Sequence, residues 1–351
     1  MSEDVWRARD TTPSAIEAAL RELLGRRYQT DRTFVPARVM NLVVVVDRDF
    51  RGEVENRLAR VGRYHPSRLV IAAVDEGRTT LDAWATVAAE DAVHSPGHIA
   101  VGRERVEVEI GPQHVESLAT IVDPLLVPDL TTMVWAPHGH DQAVEALRRL
   151  ANIVLVDTQD DPEVGASFER AADLTRSAYV VDLAWLRSTP WRERIAATFD
   201  PPAMRRCLAA IERVQVRHRP DSAAAGVLFC GWLAARLGWK PAPLVQSGTR
   251  RSGHVRARRS DVTLELVSQD MGAPGLGGVT IDIASGESIS LDRGSGGLHA
   301  VRRARDGSEQ DWTVMGASRG EAGILGEGVR QALLRDPTYK PALEAGRVLA
   351  A

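Results

Sequence analysis

The 351-residue chain carries 44 basic and 47 acidic side chains, for a net charge of −3, with 44% hydrophobic and 26% charged residues. This balance suits a globular protein long enough for two cores and excludes a polybasic chain built for nucleic acid or membrane surfaces. Its two cysteines, Cys207 and Cys230, exclude a disulfide framework and suit a reducing cytoplasm, and no run reaches the roughly 20 apolar residues of a membrane span.

Met1 to Trp6 contains neither the basic nor the apolar region of a secretory leader, so a cytoplasmic location is expected. Thr11 or Thr12 then caps a helix opened by Pro13, with Ile16, Ala19, Leu20, Leu23 and Leu24 on its buried side and an expected end near Gly25. Leu42–Val46 is a β-branched run, apolar on both faces, which predicts a central strand. A helix over 51–61 and a strand over 68–74 complete a βαβ unit with a parallel pair. In 103–110, Val106, Val108 and Ile110 alternate with Glu107 and Glu109, the pattern of an antiparallel edge strand with one wet face. Helix 113–122, strand 131–135, helix 141–150, strand 153–156 and helix 163–176 continue the alternation.

Asp182 to Ile195 then packs Trp185, Trp191 and several arginines into a short stretch. Asp182 suits an N-cap, and Thr189-Pro190 suits a second cap followed by proline at the first helical position. Trp191, Ile195 and Phe199 recur every fourth residue and share one apolar stripe. Stacking the two turns places Trp185 with Arg192 and Arg187 with Trp191. Two readings fit: a helix pair with its tryptophans in the core, or a binding surface, since Trp and Arg dominate hot spots.

Asp200-Pro201-Pro202 is the strongest breaker and the expected domain boundary. Beyond it come a helix over 204–211, a strand over 212–217 and an apolar helix over 222–237, stopped by Gly238. Short alternating strands at 262–267, 279–283, 288–291 and 297–301 follow, joined by glycine-rich turns, with a closing helix over 321–334. The predicted class is α/β. An N-terminal domain, 1–200, holds a mixed, largely parallel sheet with flanking helices; a smaller α+β C-terminal domain, 201–351, holds an antiparallel meander.

Catalytic constellations are hard to find. The first strand lacks the glycines that let backbone approach a dinucleotide, and neither Lys240 nor Lys340 sits in a phosphate-binding loop. Gly316-Ala-Ser318-Arg-Gly320 fits a nucleophile-elbow spacing, but no histidine follows it, and a turn of small residues is the simpler reading. His138-Gly-His140-Asp141 lacks a third metal ligand at a recognisable spacing. His65 and Arg68, at the mouth of the βαβ unit, form a candidate anion site or a rigid turn. The basic cluster from Arg250 and Arg251 to Arg259 suits an acidic surface, a phosphate or solvent; without interleaved aromatics it does not point to nucleic acid.

Asp182-Leu-Ala-Trp185 followed by Pro190-Trp191-Arg192 resembles the signature segment of the glucose-6-phosphate dehydrogenase assembly proteins, the OpcA family. His65-Pro66-Ser67-Arg68, and Leu125-Leu-Val-Pro-Asp-Leu130 leading to Val134-Trp135, agree with it. The family often has Cys where Ser67 stands here, which removes a thiol function from that turn. The resemblance implies a non-catalytic protein, without cofactor or metal, that binds glucose-6-phosphate dehydrogenase and promotes its assembled, active form in the oxidative pentose phosphate pathway. Under it, Trp185, Arg187, Pro190, Trp191 and Arg192 form or support the contact surface, with Arg250 and Arg251 meeting an acidic rim. The alternative is a sugar-phosphate sensor or enzyme with its site near His65 and Arg68.

Overall fold

The computed structural model describes residues 3–36, 38–61, 66–89, 100–258, 260–315 and 320–351. Their contacts define two compact units, each drawn from several stretches: Met1–Val156 with Ser177–Val181 and Gly328–Leu333, and Asp157–Arg176 with Asp182–Glu327 and Leu334–Ala351. This grouping places 182–200 with the later strands, whereas the breaker at Asp200-Pro201-Pro202 predicts a division after it. His65, Arg259 and Ser318 lie outside the described residues. Among the described residues, no helix is long and apolar enough to cross a membrane.

The first sheet contains β1 (Glu3–Ala8), β2 (Phe34–Pro36), β3 (Met40–Asp47), β4 (Ser67–Val74), β5 (Asp82–Ala89), β6 (Ala100–Ile110), β7 (Thr132–Trp135), β8 (Ile153–Val156) and β9 (Tyr179–Asp182). Its order is β1-β5-β6-β4-β3-β7-β8-β9, with β2 beside β6. The centre is parallel, as the βαβ reading requires: β3 pairs with β4 and β7, and β7 with β8. Val43 to Val46 are fully buried, because helices of a parallel sheet cover both faces of its central strands. The strand β5 runs antiparallel to β1 and β6.

The expectation of an edge strand over 103–110 is corrected by this order. The strand β6 is interior, parallel to β4 on one side and antiparallel to β5 on the other. Glu104 and Glu107 are buried there despite their charge. Arginines explain it: Arg38 and Arg68 donate to Glu104 at 2.6 and 2.7 Å, and Arg51 and Arg105 donate to Glu107 at 2.9 and 2.7 Å. A buried carboxylate is tolerated when its oxygens are paired and hydrogen-bonded in this way.

The helices of this unit are α1 (Pro13–Thr30), α2 (Arg51–Val61), α3 (Leu118–Val122) and α4 (Asp141–Leu147). Thr12 caps α1, its Oγ1 accepting from the Ala15 N–H at 3.3 Å. The helix runs past Gly25 to Thr30, with Glu22 and Arg26 paired one turn apart across the glycine. The helix expected over 113–122 shortens to α3, because Pro112–His114 forms a separate 3-10 turn.

The second unit carries an eight-stranded sheet of order β11-β12-β13-β10-β14-β15-β16-β17. The strands are β10 (Ile211–His218), β11 (Val245–Ser247), β12 (Arg250–Arg256), β13 (Asp261–Ser268), β14 (Leu276–Ile283), β15 (Ser288–Gly294), β16 (Gly297–Arg303) and β17 (Glu309–Met315). The meander is present from β14 to β17. Among the described residues, only the β10–β13 pairing of this sheet is parallel.

Its helices are α5 (Val164–Leu174), α6 (Leu183–Arg187), α7 (Thr189–Phe199), α8 (Pro202–Arg205), α9 (Ala223–Leu237) and α11 (Tyr339–Ala350), while α10 (Gly320–Leu334) is divided between the two units at Gly328. The helix α9 is apolar around its circumference and buried from Ala224 to Ala234, packing on β10, β13 and α11. Gly238, left-handed at φ +66°, ends it. Gly231 lets α11 approach closely: a Cβ there would sit 2.3 Å from the Ala342 carbonyl oxygen.

Candidate functional site

The segment singled out by its tryptophans is an interior knot of the second unit. Asp182 caps α6 through Oδ1, which accepts from the N–H groups of Ala184 at 2.9 Å and Thr158 at 3.2 Å. Its Oδ2 accepts from the Thr158 hydroxyl at 2.8 Å and the Tyr339 hydroxyl at 3.1 Å. Burial, with the neighbouring charge of Asp157 second, pushes the Asp182 carboxyl up to about 6. Arg187 grips Asp157 with both arms of its fork, at 2.8 and 2.7 Å.

Trp185 is pinned on three sides. Its Nε1–H donates to Asp336 at 2.9 Å, its ring tilts against Tyr339, and the Arg192 guanidinium lies 3.4 Å from its centroid. Arg192 also donates to the Trp185 carbonyl, Ser188 Oγ and Thr189 Oγ1. Burial lowers Arg192 to about 10. The expected face shared by Trp185 and Arg192 is therefore present, whereas Arg187 turns to Asp157 instead of Trp191. The second cap is Ser188 rather than Thr189, and it makes no side-chain capping bond. Pro190 stands in the first turn of α7, half-buried. Trp185, Trp191 and Arg192 are 2%, 2% and 8% exposed, so none offers an outer surface.

The other candidates scatter. Arg250 is exposed and Arg251 half-buried on β12, where Arg251 donates to Gln246. Arg256 and Arg258 on the same hairpin are exposed. Arg68 is buried, donating to Glu104 and to the Leu125 carbonyl at 3.2 Å. His140 Nε2 lies 3.0 Å from Asp47 and His138 stacks on Phe50. Among the described residues, no three His, Cys, Asp or Glu side chains gather as a metal site. Cys230 is fully buried and burial pushes its thiol up to about 12. Cys207 is half-buried in a 3-10 turn, its Sγ 3.8 Å from Glu287.

One feature escaped the linear reading. A groove of about 1030 Å³ lies over β1, β5 and β6, lined by six arginines, five carboxylates and Trp84. The alternation of Glu107 and Glu109 with apolar residues marked this polar face, but not its partners on β1 and α2.

A mixed α/β chain with a largely parallel sheet and a second, antiparallel-rich sheet is the class defined here. Residues 59–173 match the family described as the glucose-6-phosphate dehydrogenase subunit N-terminal domain, and residues 178–343 the C-terminal domain of the same subunit. Three relatives each carry the name putative OxPP cycle protein OpcA. The Synechococcus elongatus protein is 28% identical over 247 residues, covering 66% of this chain and 54% of its own length. The Nostoc punctiforme protein is 29% identical over 160 residues, covering 44% and 33%. The Synechocystis sp. protein is 27% identical over 132 residues, covering 36% and 28%. The chain thus belongs to the OpcA family of glucose-6-phosphate dehydrogenase assembly proteins, and spans about half or less of the curated relatives it matches. Among solved structures it is similar to Gal80p from Kluyveromyces lactis (8% identity, TM-score 0.49, covering 88% of this chain and 87% of that one). It is also similar to a dehydrogenase from Chromobacterium violaceum (13%, 0.48, 88% and 93%). Likenesses this distant carry no chemistry across.

Proposed function

We propose that this chain is a non-catalytic effector that binds glucose-6-phosphate dehydrogenase, promotes its assembly and raises its activity in the oxidative pentose phosphate pathway. The observation that carries this reading is the ordered pair of family matches over 59–173 and 178–343. On this reading Trp185, Arg187, Pro190, Trp191 and Arg192 support the contact surface from within. The surface itself is the basic hairpin of β11 and β12 with the turn that follows, where Arg250 and Arg251, joined by Arg256 and Arg258, meet an acidic rim through charge-assisted contacts. The effector needs no cofactor, metal or nucleic acid, and works in the cytoplasm.

An activator acts only through tighter binding to the active state than to the inactive one; a tenfold preference is about 1.4 kcal/mol. The alternative site at His65 and Arg68 is disfavoured, because the Arg68 guanidinium is already engaged by Glu104 and the Leu125 carbonyl. The deciding experiment is co-purification with the dehydrogenase encoded in the same genome, followed by assay with and without this chain. A stable complex with raised activity is expected; no complex and unchanged activity overturns the reading.

A further inference from the structure

The groove over β1, β5 and β6 is built in rows. Strand register sets Arg7 opposite Trp84 and Trp84 opposite Glu107, and in the next row Val5 opposite Thr86 and Thr86 opposite Arg105. Alternate residues of a strand share a face, so these rows present one surface, the polar face that the Glu107 and Glu109 pattern marks. The helix α2 borders it and sends Arg51 inward, 5.3 Å from the Trp84 ring centroid and 2.9 Å from Glu107.

Charge is distributed unevenly across this surface. The inner arginines are neutralised: Arg51 by Glu107 and Glu109, and Arg105 by Glu55 and Glu107. At the outer lip, Arg7 and Arg9 are exposed, and among the described residues neither guanidinium has a hydrogen-bond or ion-pair partner. The groove therefore offers two unspent guanidinium forks beside an aromatic plate, above a floor of arginine–carboxylate pairs. Guanidinium forks match phosphate or carboxylate oxygens. The paired carboxylates retain lone pairs that accept from hydroxyl groups, and hydroxyls in turn accept from arginine N–H. The Trp84 ring suits the C–H face of a saturated ring. A volume near 1000 Å³ is at the upper end of small-ligand pockets.

We propose that this groove binds a small polyhydroxylated anion of the sugar-phosphate class, its anionic group held by Arg7 and Arg9 and its carbon skeleton resting on Trp84. The proposal goes beyond the effector reading and does not depend on it, since it concerns the isolated chain.

Titration calorimetry and saturation-transfer NMR on the full chain test it with three probes: glucose 6-phosphate, inorganic phosphate and glucose. Glucose 6-phosphate is expected to bind at least tenfold more tightly than either half of the molecule alone. The exposed double variant Arg7→Glu/Arg9→Glu should weaken that binding at least tenfold without changing the far-UV spectrum, and Trp84→Phe should retain it. Charge reversal at Arg256 and Arg258, in the other unit, should leave it unchanged. No binding of glucose 6-phosphate, equal binding of inorganic phosphate, or full affinity in the Arg7/Arg9 variant overturns the assignment. None of these outcomes bears on complex formation with the dehydrogenase, which is read separately by co-purification.

Discussion

The Arg192 guanidinium lies 3.4 Å from the Trp185 ring centroid, while the indole Nε1–H of Trp185 donates to Asp336. A cation desolvated over indole contributes about 2 kcal/mol, and the Trp185 carbonyl would lose a donor if Arg192 were removed. Arg192→Ala should therefore destabilise the protein by about 2–4 kcal/mol in urea unfolding. Arg192→Lys should rescue only part of that, because an ammonium cannot reach Ser188, Thr189 and the Trp185 carbonyl together. Full stability in Arg192→Ala would contradict the packing described here.

The buried Asp182 carboxyl makes stability depend on pH in an uncommon direction. Its ordinary value is 3.8 and its folded value about 6, so between these the folded state holds more protons than the unfolded one. Stability should fall as pH rises from about 4 to 6 and then level off, by up to about 3 kcal/mol for this group. Asp182→Asn, which cannot ionise, should flatten that part of the curve. An unchanged slope in the variant would assign the effect elsewhere.

Glu104 holds two arginines inside the first sheet. Glu104→Gln would leave Arg68, only 9% exposed, without its hydrogen-bonded countercharge. We expect a loss of about 3–5 kcal/mol. Removing the exposed acid of the Glu22–Arg26 pair by Glu22→Gln should cost less than about 0.5 kcal/mol. Comparable effects from both substitutions, measured by thermal and urea unfolding, would argue against the interior position of β6.

Two glycines should respond oppositely to alanine. Gly25 is exposed within α1, with nothing within 4 Å of an added Cβ, so Gly25→Ala should stabilise by about 0.5–1 kcal/mol. Gly231→Ala would drive its Cβ against the Ala342 carbonyl and force α11 away from α9, with a loss of about 1–3 kcal/mol. Differential scanning calorimetry of the pair reads both signs.

For the effector reading, reversing Arg250, Arg256 and Arg258 to Glu should slow association with the dehydrogenase at least tenfold at low salt while leaving the fold intact. The gap should narrow at high ionic strength, as rim charges act mainly on encounter. Stopped-flow or interferometry at two salt concentrations measures it, and equal rates would remove the hairpin from the interface.

The features legible from sequence were those decided locally. Leu42–Val46 announces a central strand by its own composition, and the strands from 276 to 303 announce a meander by alternation and glycine turns. The interior position of β6 was not legible, because its countercharges arrive from Arg68, Arg51 and Arg38, at separations of 36, 56 and 66 residues. The burial of Trp185 likewise depends on Asp336, 151 residues away. The Arg7–Trp84–Glu107 row required the register of three strands, none adjacent to all the others in sequence.

The parallel pairing of β10 with β13 has a consequence for biogenesis. Arg213 of β10 meets Glu265 of β13 across 52 residues, and Arg217 meets Asp292 across 75. During synthesis β10 therefore emerges from the ribosome well before either neighbouring strand, its apolar Ile211, Val214 and Val216 unsheltered by any local hairpin. Such long loop closures are slow and leave strand edges open to aggregation. The helix α9, emerging directly after β10 and rich in buried apolar residues, is the first partner the nascent chain can offer it. Production of this protein should therefore respond more sharply to translation speed and chaperone supply in the stretch from 211 to 268 than in the meander that follows.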